Sequence, residues 1–177
     1  MRAYKFLRDG GLGPFSGFRW PLPGADGPGP WIEARAFAGR CGAGIHACDG
    51  DHLTYWLGPE LWIIELGGDV VAADRKLVAP RGRLVARVDA WGPAIVDELA
   101  AAAIERARGL VAAAAAGPDA ALARGYLDDA ILFRSLDAAA SLFCAAHAAL
   151  TEAGLAAERR WQSRWLATRL GVLPLAT

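Results

Sequence analysis

The segment Cys41-Gly42-Ala43-Gly44-Ile45-His46-Ala47-Cys48 brings two thiols and an imidazole together within eight residues, and Gly42 and Gly44 leave its backbone free to curl. Two chemistries suit such a set. Cys41, His46 and Cys48 offer three soft or borderline ligands to zinc or iron, with Asp51, His52, Cys144 or His147 as a fourth, and an open fourth position would make the centre catalytic. A thiolate at Cys48 or Cys41 could instead act as nucleophile with His46 as its base. His46 and Cys48 share a face of a strand but stand about 6–7 Å apart at the backbone, so their contact needs convergent rotamers. The spacing follows no standard zinc signature. A structural role competes with both chemistries, because cysteine is among the most buried residue types and a strand histidine can simply bond a loop carbonyl. Cys144 and His147, three apart on a helix, lie on neighbouring faces, and a core histidine is the simpler reading of that pair.

Tyr55 and Trp56 follow closely and, with Trp20, Trp31, Trp62 and Trp91, suit either an aromatic core or an aromatic-walled pocket. Arg75, Lys76, Arg81, Arg83 and Arg87 gather five cations on a short stretch. Of these, Lys76, Arg81 and Arg83 are candidates for clamping an anionic group, arginine by bidentate geometry and lysine as a point charge. A solvated basic face is the commoner fate of such a run. The glycine-rich stretch from Gly10 to Gly17 resembles a phosphate loop only loosely, since it lacks the Gly-Lys-Ser/Thr ending and Pro14 removes a donor amide.

The elements that must position these residues change character at Trp91-Gly92-Pro93. Before it, the chain reads as β-rich. Arg2 to Leu7 alternates as a strand, with Tyr4 and Phe6 on one side and Ala3, Lys5 and Leu7 on the other. A Gly/Pro-dense loop over 10–30 carries Phe15, Phe18 and Trp20, which implies an ordered loop packed by its aromatics. Strands follow at 31–37 and 44–48, then a short helix over 52–57 capped by Asp49 or Asp51. Residues 61–66 and 70–73 read as a hairpin turned by Gly67-Gly68, and 84–88 as a last strand. After Pro93, alanine-rich helices are expected at 94–115, 127–153 and 156–170. In the second, Leu132, Leu136, Ala139, Phe143, Ala146 and Leu150 form an apolar stripe. The expected fold class is therefore α+β. A β-rich half at 1–91, mainly antiparallel sheet with a long Gly/Pro loop and a short helix, precedes a bundle of about three helices at 92–177.

With 19 basic and 19 acidic side chains in 177 residues, no overall field draws nucleic acid or an anionic membrane, so nucleic acid is not an expected partner. Three cysteines argue against a disulfide framework. Met1 to Gly10 lacks the apolar stretch of a signal peptide, and the apolar runs elsewhere fall short of the ~20 residues of a membrane span, so a cytoplasmic protein is expected.

Ala3-Tyr4-Lys5-Phe6-Leu7, Gly44-Ile45-His46-Ala47-Cys48, Tyr55-Trp56-Leu57 and Arg75-Lys76-Leu77-Val78-Ala79-Pro80 resemble a domain of uncharacterised bacterial and phage proteins. The Gly-Ile-His-Ala-Cys element is its most specific part, and the Arg159-Arg160-Trp161-Gln162 to Leu170 ending extends the likeness. The resemblance implies a real domain and carries no activity with it. The residues themselves lead to a small-molecule-modifying enzyme or ligand-binding protein with a pocket around Cys41, His46 and Cys48, able to take zinc or iron. His46 would serve as base or ligand, Cys48 as nucleophile or ligand and Tyr55 as a catalytic neighbour, with Trp56, Lys76, Arg81 and Arg83 binding the small molecule. The competing expectation is a non-catalytic interaction module, its Cys/His cluster structural and its helices an association surface able to support a homo-oligomer.

Overall fold

Seven strands, one 3-10 helix and three α-helices are found in residues 1–34, 43–113, 120–133 and 152–172, the parts of the chain that the computed structural model describes. Two compact units emerge: Met1–Gly92 together with the chain from Leu166 onward, and Pro93–Trp165. The sequence places one division, at 91/92, whereas these units divide after Gly92 and again after Trp165.

In the β-rich unit, β1 (Arg2–Leu7) pairs antiparallel with β4 (Glu60–Gly67). On its other edge β4 pairs with β7 (Arg81–Arg87), whose far edge carries the two-residue β2 (Ile32–Glu33). A second sheet places β6 (Lys76–Ala79) between β3 (Ile45–Ala47) and β5 (Val71–Ala73). Two joins turn these sheets into a ring of strands. β6 runs into β7 across Pro80, a residue that lacks an N–H and is tolerated at such a corner. At the other join Tyr4 and Cys48 exchange both backbone hydrogen bonds at 2.8 Å, tying β1 to β3.

The two-residue period of the strands fills this ring. Ala3 and Leu7, Ile45 and Ala47, Trp62, Ile64 and Leu66, Leu77 and Ala79, and Leu84 all turn inward into one buried cluster, which Trp20 of the long loop completes. Each fully buried Leu or Ile contributes roughly 1.5–3 kcal/mol. Lys5 occupies the inward register position between Ala3 and Leu7, a cation placed among core residues.

The loop between β1 and β2 is ordered, as its aromatics suggest. Its anchor is Glu60, whose carboxylate, 6% exposed, accepts the Gly10 and Gly11 amides at 3.1 and 3.2 Å and the Trp62 indole N–H at 3.0 Å. Gly10 and Gly11 both sit at φ +73°, where two successive amides converge on an anion. The glycine pair therefore binds a carboxylate of its own chain. Trp20 is buried beneath the loop, Phe18 is 43% exposed and Phe15 is 89% exposed.

The hairpin expected across Gly67-Gly68 does not form: its strands exist as β4 and β5, but β5 belongs to the other sheet and pairs with β6. Gly68 is needed for another reason. It holds φ +79°, and a Cβ there would stand 2.5 Å from Pro80 Cγ, so the glycine lets the chain pass the corner at Pro80. The turn that does form is Asp74-Arg75, with Arg75 at φ +49°. The Arg75 guanidinium lies 4.8 Å from the Tyr55 ring centre and its carbonyl accepts the Trp56 indole N–H at 2.8 Å, contacts that offset a left-handed arginine. The short helix is a 3-10 helix, Gly50–Tyr55, with Asp49 as N-cap accepting the Asp51 amide.

In the helical unit, α1 (Pro93–Ala113) and α2 (Ala120–Phe133) bury Ala103, Ile104, Ala107, Val111, Ala123 and Leu127 against one another. In α3 (Glu152–Arg169) the buried Glu158 takes Arg106 of α1, whose guanidinium also covers the Trp161 ring. The second helix begins at Ala120, earlier than its apolar spacing suggested, and Leu132, which opens the expected stripe, is 75% exposed. The rest of that stripe, with Cys144 and His147, lies outside the described residues. The chain is α+β, antiparallel sheet first and helices after. Among the described residues no helix is long and apolar enough to cross a membrane.

Candidate functional site

The site begins where the ring of strands is incomplete. β1 and β3 share one bridge, Tyr4 with Cys48, and among the described residues no backbone hydrogen bond joins them beyond it. In a continued antiparallel ladder the next acceptor, the His46 carbonyl, would meet the Phe6 amide. Instead the Lys5 ammonium reaches across the seam and donates to the His46 carbonyl at 2.6 Å. The same ammonium lies 5.1 Å from the centre of the Trp20 ring. Burial lowers the Lys5 ammonium to about 8 from its usual 10.5, with Cys48 acting in the opposite sense.

Around this seam lies a pocket of about 820 Å³. Lys5, Phe6, Ile45, His46 and Ala47 form its floor, and the loop contributes Phe15, Phe18 and Trp20 to one wall. Tyr55, Trp56 and Leu57 form another, while Ile32, Glu33, Lys76 and Cys48 are among the other lining residues. His46 projects from the outward face of β3, and the register that sets it opposite Val78 carries Lys76 to its diagonal. Burial first, then the charges of Lys76 and Lys5, hold the imidazole below its ordinary value, so His46 is neutral at neutral pH. Its Nε2 is buried without a hydrogen-bond partner among the described residues.

Cys48 is placed for packing. Its thiol is 2% exposed and donates to the Tyr4 carbonyl at 3.6 Å. Burial first and Asp49 second push the thiol well above its usual range, Lys5 acting in the opposite sense, which is the reverse of what activates a cysteine nucleophile. Of the expected metal ligands, Cys41 lies outside the described residues. Among the described residues no three His, Cys, Asp or Glu side chains converge as a metal would need. His52, a candidate fourth ligand, is instead paired with the Asp49 carboxylate at 2.7 Å.

The other sequence candidates divide between two places. Tyr55, Trp56 and Lys76 line the pocket with His46. Arg81 and Arg83 do not: their guanidiniums lie 4.9 and 4.7 Å from the Trp31 ring centre, and Arg83 is paired with Glu65 at 2.6 Å. The basic run is split because β6 and β7 belong to different sheets, so Lys76 lines the pocket while Arg81 and Arg83 face Trp31.

The residue that the sequence reading passed over is Lys5. Its signal was present in the composition: of the 19 basic side chains, 17 are arginine, and the two lysines, Lys5 and Lys76, both line this pocket. A second signal was its register, since a cation between Ala3 and Leu7 on the inward side of a strand is rarely left there without a role. The chain matches no family model, and no curated protein or solved structure is similar to it. The functional reading therefore rests on the geometry of the pocket.

Proposed function

We propose that the chain binds a small molecule with a flat, apolar body and an oxygen-bearing head, seated in the pocket over the β1–β3 seam. The observation that carries this reading is that Lys5, His46 and Lys76 all line one aromatic-walled pocket of about 820 Å³. That volume suits a drug-sized or smaller ligand, and few polar groups within apolar walls are the usual plan of such sites. Phe18, Trp20, Tyr55 and Trp56 offer flat surfaces to the body. The two ammoniums and the neutral imidazole favour a carboxylate or carbonyl head, while Glu33 is exposed.

Calorimetric titration with 2-naphthoate, 2-naphthylmethanol and naphthalene tests the proposal. Saturable one-to-one binding is expected, tightest for the carboxylate and weakened about tenfold in Phe18→Ala, the effect of about 1.4 kcal/mol of lost aromatic contact. A pure interaction module would give no saturable binding of any of the three, and that outcome would overturn the reading.

A further inference from the structure

We infer that Lys5 is an amine nucleophile, forming an imine with an aldehyde or ketone group on the molecule that occupies the pocket. The inference rests on the ligand-binding reading above and names the head group that the site takes.

The first observation is one of residue choice. Seventeen of the 19 basic residues are arginine, whose guanidinium keeps its proton throughout the physiological range and makes no covalent bond to a carbonyl. Only Lys5 and Lys76 carry primary side-chain amines, and both border one cavity. The second observation is placement. Lys5 lies on the inward face of β1 and lines the cavity, half-buried overall. Its polar contacts are the His46 carbonyl at 2.6 Å and the Trp20 ring at 5.1 Å, and no carboxylate pairs with it among the described residues. A structural lysine in a core is ordinarily neutralised by an acid. Here the amine faces a cavity instead, in surroundings that lower its proton affinity to about 8, so about a tenth is free base at pH 7, several hundred times more than for an ordinary lysine. The third observation is His46, whose neutral ring has a buried Nε2 with no partner among the described residues, on the residue whose carbonyl holds the amine.

The step balances without an oxidant or reductant. The Lys5 nitrogen lone pair attacks the carbonyl carbon, forming the C–N bond while the carbonyl π electrons move to oxygen. That oxygen gains a proton and the nitrogen loses one, giving a carbinolamine. The hydroxyl then leaves as water as the nitrogen lone pair closes the C=N bond. Amine plus carbonyl thus give imine plus one water, the proton that leaves nitrogen ending on the departing hydroxyl. Lys76 is the second positive charge at the site and takes no part in bond making.

The test uses 2-naphthaldehyde as the electrophile, sodium cyanoborohydride as the hydride donor that fixes an imine as a secondary amine, and peptide mapping by mass spectrometry. Binding of 2-naphthylmethanol, which cannot form an imine, is measured alongside. The expected result is an adduct on Lys5 with the mass of the aldehyde less one oxygen, at least tenfold more abundant than on Lys76 or the Met1 amine. It should be lost in Lys5→Arg and retained in Lys76→Arg. If 2-naphthylmethanol binds but Lys5 is not preferentially modified, the imine inference fails and the ligand-binding reading stands. If the alcohol does not bind and no adduct forms on Lys5, both fail. Circular dichroism of each variant separates loss of reactivity from loss of fold, and a folded Lys5→Arg that binds the alcohol yet keeps the full adduct yield would also overturn the inference.

Discussion

Replacing Lys5 by methionine puts a number on the tension at the centre of the pocket. The drop in the Lys5 ammonium from 10.5 to about 8 corresponds to about 3 kcal/mol of destabilisation when the amine is charged. Methionine removes that term. The bond to the His46 carbonyl and the contact with Trp20 already moderate that net cost. At pH 7, where the amine is charged in both states, Lys5→Met should therefore match or exceed the stability of the parent, by up to about 3 kcal/mol. The difference depends on pH. Between pH 8 and 10.5 the unfolded chain keeps the Lys5 proton that the folded chain has released, so parent stability rises with pH in that window. Relative to Lys5→Met, the gain from pH 8 to 10 amounts to about 2 kcal/mol. Urea unfolding of both proteins at pH 7, 8, 9 and 10 measures it. Stability curves that run parallel across that range would refute a buried amine, and a loss of about 3 kcal/mol or more in the variant at pH 7 would make Lys5 a structural clamp.

Other consequences can be checked separately. Glu60→Gln should cost about 2 kcal/mol at pH 7 by weakening the Gly10, Gly11 and Arg87 contacts, as read by chemical denaturation. Burial alone would raise the Glu60 carboxyl, but the Trp62 indole, both amides and Arg87 hold it below 4.5. Its contribution is therefore complete above pH 4.5 and lost as pH falls through the lower folded value, so Glu60→Gln should lose less stability than the parent on acidification. Cys48 should resist iodoacetamide at pH 8 in the native protein and react promptly in urea, with peptide mapping to distinguish it from the other two cysteines. Gly68→Ala should lower stability by about 2 kcal/mol or more, because the added methyl meets Pro80 at a positive φ; an unchanged melting temperature would show that this corner relaxes.

Much of the fold was legible because alternation and composition act locally. Arg2 to Leu7 forms a strand on its side-chain pattern alone, and the change at Pro93 marks the start of the helices. Strand partners were less legible. Gly67-Gly68 has the residues of a tight hairpin turn, yet Pro80, twelve residues away, decides how the chain passes there, and a local reading cannot include it. Of the site, His46, Tyr55, Trp56 and Lys76 were read as neighbours from proximity in sequence. For Cys48 the motif leaves nucleophile, ligand and packing roles open, because burial, which the bridge to Tyr4 brings about, is invisible in a motif. Lys5 was missed because its meaning lies in what β1 faces, and that depends on the end of its ladder with β3 forty residues later.

Chain labelled with ¹³C at lysine Cε provides the most direct measurement, since its two lysines give two signals that Lys76→Arg assigns. The Lys5 signal should titrate near 8 and shift when 2-naphthoate is added. A Lys5 signal that titrates near 10.5 and does not move with ligand would contradict a buried amine at the floor of a binding pocket.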